Sequence, residues 1–99
     1  MNLQNLMKQA QAMQKNLMAS KKDIEEMIFE GNSELVNVKI NGKRQVLSVK
    51  IKEDTSFEKD DVEILEDMIT IAVNDALKKV DDEIKNKLGN QAGGLSDFL

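Results

Sequence analysis

The sequence predicts an α+β fold: a long N-terminal helix, a three-stranded antiparallel sheet and a long C-terminal helix, in the order α-β-β-β-α. Three observations predict it. Between Leu3 and Met27, and again between Val62 and Ile84, apolar residues recur every three or four positions, the spacing of one helix face. Between these segments, "LVNVKINGKRQVLSVKI" at 35–51 alternates apolar and polar residues around Asn41-Gly42, the pattern of a hairpin with one buried side. Ninety-nine residues, 40% of them hydrophobic, are enough for one compact core and too few for a second. A single domain is expected over 1–88, with a flexible, glycine-containing tail over 89–99.

The first helix carries its apolar residues at Leu3, Leu6, Ala10, Met13, Leu17, Ile24 and Met27, a heptad seam broken only by Ser20. Its many Gln, Lys and Ala residues favour helix independently of that pattern. About 25 residues make a helix of roughly 37 Å, more than so short a chain covers by itself, so part of the seam is expected to need a second chain. Lys8, Lys15 and Lys22 recur every seven residues opposite the seam, with Lys21 beside the last. They form a stripe of about 21 Å. Two readings stand: a solvated helix face, or a row of phosphate contacts.

The helix is expected to weaken near Met27, giving way to a short strand over 27–30 and a turn at Gly31-Asn32-Ser33. Two further strands follow at 35–40 and 45–52. A four-residue loop from Asn41 to Arg44 pairs Ile40 with Gln45, Val38 with Leu47 and Val36 with Val49, and is preferred for those apolar pairs. A two-residue loop gives the same faces, whereas a three-residue loop would divide the apolar set and is not expected. One side then shows Val36, Val38, Ile40, Leu47, Val49 and Ile51; the other shows Asn37, Lys39, Ser48, Lys50 and Lys52.

The second helix is predicted to start at an Asp60 N-cap, with Glu63 three residues on, and to end at Gly89 as a C′ residue. Its stripe runs through Val62, Leu65, Ile69, Ala72, Val73, Ala76, Leu77, Val80 and Ile84, and is widened by Ile64, Met68 and Ile71. That width suits two surfaces, the sheet of its own chain and a partner subunit. In the tail, Leu95, Phe98 and Leu99 are the residues able to dock.

The chain has no His, Cys, Trp, Tyr or Pro. Acid–base and nucleophilic chemistry near neutral pH draws mainly on His, Cys or carboxylates in an apolar cleft, so no enzyme and no cofactor is expected. Asp60, Asp61, Glu63, Glu66 and Asp67 are dense but lack the alternating spacing of a calcium loop. No segment approaches the roughly 20 apolar residues of a membrane span, nor does the start resemble a signal peptide. The expectation is an unprocessed cytoplasmic protein with no membrane partner. Net charge is −4, but unevenly spread: residues 1–52 hold nine Lys/Arg against five acids, a balance of +4, and residues 53–99 five against thirteen, a balance of −8. A basic face on an acidic protein fits that division.

The stretches "NLMKQAQAMQKNL" at 5–17, "ELVNVKINGKRQVLSVKI" at 34–51 and "EILEDMITIAVNDALKK" at 63–79, with the glycine-containing tail, resemble the YbaB/EbfC family of nucleoid-associated proteins. The resemblance spans nearly the whole chain. It implies a homodimer shaped somewhat like tweezers, binding duplex DNA without a cofactor and located in the nucleoid. The segment before Leu35 departs from the family pattern, being short and poor in glycine.

For DNA, the expected mechanism is counterion release by lysines with little base reading, since Arg44 is the only arginine and no Tyr or Trp is present to stack on bases. Charge geometry nominates Lys8, Lys15, Lys21 and Lys22, with Lys39, Lys43, Arg44 and Lys50 as a second group. The alternative is a dimeric protein-interaction adaptor whose Met-rich seam receives a protein partner and whose DNA binding is incidental.

Overall fold

A computed structural model describes residues 2–53 and 56–88. Helix α1 spans Leu3–Glu26, and Asn2 caps it by accepting the Gln4 N–H on its side chain at 3.1 Å. Strands β1 (Ile28–Asn32), β2 (Val36–Asn41) and β3 (Val46–Ile51) form an antiparallel sheet in the order β1-β2-β3. A short 3-10 turn at Lys59–Asp61 leads into α2, Val62–Leu88. The expected α-β-β-β-α order is therefore the observed one. The tail over 89–99, with its expected C′ residue Gly89, lies outside the described residues.

Three local expectations are corrected. β1 runs on to Asn32, two residues past its expected end, because Gly31 and Asn32 pair with Val38 and Asn37 instead of turning. The helix entry is set two residues early: the Glu58 N–H donates to the Asp61 carboxylate at 2.9 Å, in place of the expected Asp60–Glu63 box. The hairpin loop has three residues, Gly42 to Arg44, with the Asn41 N–H bonded to the Gln45 carbonyl at 3.1 Å. Asn41 organises it, since its side-chain oxygen accepts from the backbone N–H of Lys43 at 2.9 Å and of Gln45 at 3.1 Å. Arg44 follows the turn in the left-handed region, at φ 65°.

A three-residue loop would turn β3's apolar residues to the wrong side, and a bulge prevents it. Ile40 pairs with Val46 and Lys39 with Ser48, leaving Leu47 as the extra residue. Beyond the bulge, Val49 faces Val38 and Ile51 faces Val36, each partner two residues further along β3 than the sequence register expects. The apolar side survives by this second irregularity.

The core lies between α2 and the β1–β2 half of the sheet. Ile24, Phe29, Val36, Val38, Ile40, Ala72, Ala76, Val80 and Ile84 are buried. Ala72, Ala76, Val80 and Ile84 recur every four residues and form the line of α2 that meets the strands. Two glycines set how closely the helices approach. A Cβ at Gly31 would fall 1.9 Å from the Ala72 carbonyl oxygen, and one at Gly42 would fall 1.9 Å from that of Ile24. Gly31 thus lets α2 lie against β1, while Gly42 lets the hairpin tip lie against the last turn of α1.

Candidate nucleic-acid interface

α1 leaves the body of the protein as an arm. Of its residues only Ile24, near its C-terminal end, is buried. Leu17 and Ser20 are half-buried, whereas Leu3, Leu6 and Met13 along the same seam are exposed. The molecule is correspondingly elongated, with principal extents of 71 × 20 × 15 Å. Up to Lys22 the charge on this arm is of one sign. Residues 1–22 hold Lys8, Lys15, Lys21 and Lys22 and no acid, a balance of +4; residues 23–99 hold ten cations against eighteen acids, a balance of −8. Lys8, Lys15 and Lys22 are exposed and have no ion-pair partner among the described residues, and Lys21 is half-buried at the base. The acidic majority of the chain is thereby separated from most of the arm's length.

The second cationic group has different surroundings. Arg44 at the hairpin tip donates to the Asp81 carboxylate of α2 at 2.8 Å. Lys43 lies 3.7 Å from Glu25 of α1, and Lys39 lies 3.5 Å from Glu30 across the β1–β2 ladder. Lys50, on β3, has no ion-pair partner among the described residues. Lys87, which the sequence did not nominate, sits 3.8 Å from Asp23 and ties the end of α2 to the base of the arm. Lys21, Ile24, Glu25, Gly42, Lys43 and Ile84 line a cleft of about 210 Å³ at that junction, so Lys43 of the hairpin adjoins Lys21 of the arm.

A further pair missed at the sequence level, Asp75 and Lys79, closes one edge of the sheet. The Asn32 N–H donates to Asp75 at 2.9 Å, and the Lys79 ammonium donates to the Glu30 carbonyl at 2.6 Å. These are outward backbone groups of edge strand β1, capped by side chains of α2. The Asn32 N–H, followed by the hydrogen bond and charge of Lys79 and the charge of Lys78, holds the Asp75 carboxyl below its ordinary value, against a smaller opposing effect of desolvation. The one signal in the sequence was the i, i+4 spacing of the two residues, which also pair with each other at 3.4 Å.

The other edge, β3, has no such cover among the described residues. α2 packs on β1 and β2 and barely reaches β3, so Val46, Leu47, Val49 and Ile51 stay exposed. Val62, Ile64 and Ile71 of α2 are half exposed as well. With Leu3, Leu6, Met7, Met13 and Met18 on the arm, the chain shows far more apolar side chain than its own elements cover. Among the described residues, no helix is long and apolar enough to cross a membrane.

Known proteins share this chain's sequence and fold. A family model described as the YbaB/EbfC DNA-binding family matches residues 1–95. A nucleoid-associated protein of Clostridium novyi is 43% identical over 98 residues, covering 97% of this chain and 85% of that protein. One from Lactococcus lactis is 42% identical over 97 residues, covering 96% and 97%. The crystal structure of an uncharacterized protein from Helicobacter pylori superposes with a TM-score of 0.74 at 23% identity, over 94% of this chain and 99% of that one, which is a likeness of fold.

Proposed function

The chain belongs to the YbaB/EbfC DNA-binding family, and from that premise we propose that it is a nucleoid-associated protein whose homodimer holds duplex DNA by phosphate contacts from the two α1 arms. The observation that carries this reading is the arm itself: a projecting helix with lysines along one side, no acid before Asp23 and no carboxylate on Lys8, Lys15 or Lys22. Those three lysines lead the contact, with Lys21 flanking it at the base of the arm; Lys50, opposite Asn37 and away from the hairpin tip, is the more distant member of the set. Lys39, Lys43 and Arg44 enter it only by giving up the carboxylates they face. Affinity then comes from released counterions, with little base reading, and the protein acts on DNA organisation or gene regulation in the nucleoid.

The dimer follows from surface. The outer seam of α1, the apolar residues of β3 and the N-terminal half of α2 need cover that the described residues of one chain do not supply. Two arms present six lysines from the three leading positions. Engagement of about six phosphates would give log K against log salt a slope of roughly −5.

The test is fluorescence anisotropy of a labelled duplex at about 50 and 200 mM salt. Saturable binding that weakens steeply with salt supports the proposal; absence of binding at the lower salt overturns it. The exposed Met7, Met13 and Met18 favour a second reading, an adaptor that receives a partner helix on this adaptable surface. A protein partner retained after nuclease treatment and in high salt, with no duplex binding, would establish that reading instead.

A further inference from the structure

Arg44 occupies the position after the hairpin turn where the left-handed backbone suits glycine or asparagine better than a long side chain. Its guanidinium is neither free nor buried. It crosses to Asp81, 37 residues further along the chain, at 2.8 Å, with the Arg44 side chain 36% exposed and the Asp81 side chain 58% exposed. Next to it Lys43 faces Glu25, and Lys43 lines the same cleft as Lys21 at the base of the arm. The hairpin tip would therefore prolong the arm's positive stripe onto the body of the protein, were its cations not already matched by carboxylates.

We propose that Asp81 is an intramolecular competitor of DNA phosphate: it holds the guanidinium of Arg44 and keeps the hairpin tip out of the DNA contact, limiting that contact to the arm. The proposal rests on the DNA-binding reading above. A carboxylate and a phosphate oxygen are alternative acceptors for the same guanidinium. A solvent-exposed pair of this kind is weak enough to be exchanged, but the exchange returns no net counterion release from Arg44, because the cation released from the phosphate is offset by one taken up by the freed Asp81. Arg44 thus adds little to binding while Asp81 is present, and a full phosphate contact when Asp81 is gone. Glu25 stands in the same relation to Lys43 at a longer distance, 3.7 Å, and has the smaller effect.

The experiment compares the wild type with Asp81→Asn, Asp82→Asn, Arg44→Gln and the Asp81→Asn/Arg44→Gln double variant, by duplex anisotropy across a salt series. Asp82 is exposed and has no ion-pair partner among the described residues, so its substitution removes the same charge without releasing Arg44. Expected for Asp81→Asn is about fivefold tighter binding at low salt, and a slope steeper by about 0.9 for each arginine that gains a phosphate. Asp82→Asn should fall well short of this, and the gain should vanish in the double variant. An equal gain from Asp82→Asn, or a gain that persists without Arg44, overturns the proposal and leaves only net charge. So does a loss in Arg44→Gln alone as large as the loss it causes in the Asp81→Asn background, because Arg44 would then already contact DNA. Wild-type binding with no gain in Asp81→Asn defeats this proposal only, whereas no binding by any of the five proteins defeats the DNA reading as well.

Discussion

The two long helices have nearly the same length, 24 and 27 residues, and nearly the same apolar spacing, yet α1 buries one side chain where α2 buries four. The difference lies in what each helix can reach. α2 crosses β1 and β2, and its Ala72 and Ala76 meet Gly31 so closely that backbone approaches backbone. Among the described residues α1 meets the body through its C-terminal turns, at Ile24, at the hairpin tip and at the Asp23–Lys87 pair, and the rest of it projects. Helical periodicity therefore fixes which face is apolar, but not whether the chain owns a surface to cover that face. Where it does not, the face is left for a second molecule, and the opposite, charged face is carried outward with it.

Five changes would break or sharpen this contrast. Gly31→Val should have the largest effect, since even a Cβ would overlap the backbone of α2; we expect a loss of about 3 kcal/mol or more in urea unfolding, with Ile84→Ala close behind at about 3 kcal/mol from the cavity it opens. If either variant unfolded like the wild type, α2 would not be the buried helix.

The arm should respond in function instead of stability. Replacing Lys8, Lys15 and Lys22 together by Glu should weaken duplex binding by about 100-fold or more at low salt, while the unfolding midpoint and the sedimentation coefficient stay at the wild-type values. Unchanged affinity would retire the stripe as a contact. Substituting Leu6 and Met13 by Asp tests the other face of the same helix. Both side chains are exposed in one chain, so their replacement should cost a monomer little; in a dimer held by the seam it should shift sedimentation towards the 11.1 kDa species. A dimer indifferent to both changes would have to be held elsewhere, with β3 and the N-terminal half of α2 as the other uncovered surfaces.

The smallest effect is expected at the β1 edge. Asp75 has its carboxyl held below the ordinary value in the folded state, chiefly by the Asn32 N–H. A depressed carboxylate stabilises the fold while it is ionised, so its contribution is present above the unfolded value of 3.8 and is lost as pH falls through the lower folded value. Asp75→Asn should therefore flatten the acid limb of the stability curve below pH 3.8, visible in thermal melts taken between neutral and strongly acid pH. An acid limb identical to that of the wild type would show that the carboxylate makes no differential contribution there.

Much of this protein was legible before any coordinates. The order of elements, the apolar side of β2 and the line Ala72, Ala76, Val80 and Ile84 follow from periodicities of 2 and 3.6, which are properties of the local backbone and need no knowledge of distant residues. The lysine stripe followed in the same way, from a seven-residue repeat on one helix. The loop is not legible from apolar pairing alone. The preference of Asn41 for a three-residue turn, and a bulge at Leu47 that restores the face, were two departures that cancel, and neither shows in an alternating pattern.

The candidate site divides in the same manner. Sequence by itself singled out eight of the fourteen cations and determined that those on the first helix share a face. Only the tertiary structure decided that Lys39, Lys43 and Arg44 face carboxylates while the arm's outer lysines do not, because ion pairing depends on groups brought together across the chain. Glu25 and Lys43 are 18 positions apart, Arg44 and Asp81 37, and no spacing rule joins them. The covering of one sheet edge by Asp75 and Lys79, and the exposure of the other, were decided likewise: the path of α2 over β1 and β2 follows from how closely Gly31 lets two backbones approach, a property of packing in three dimensions.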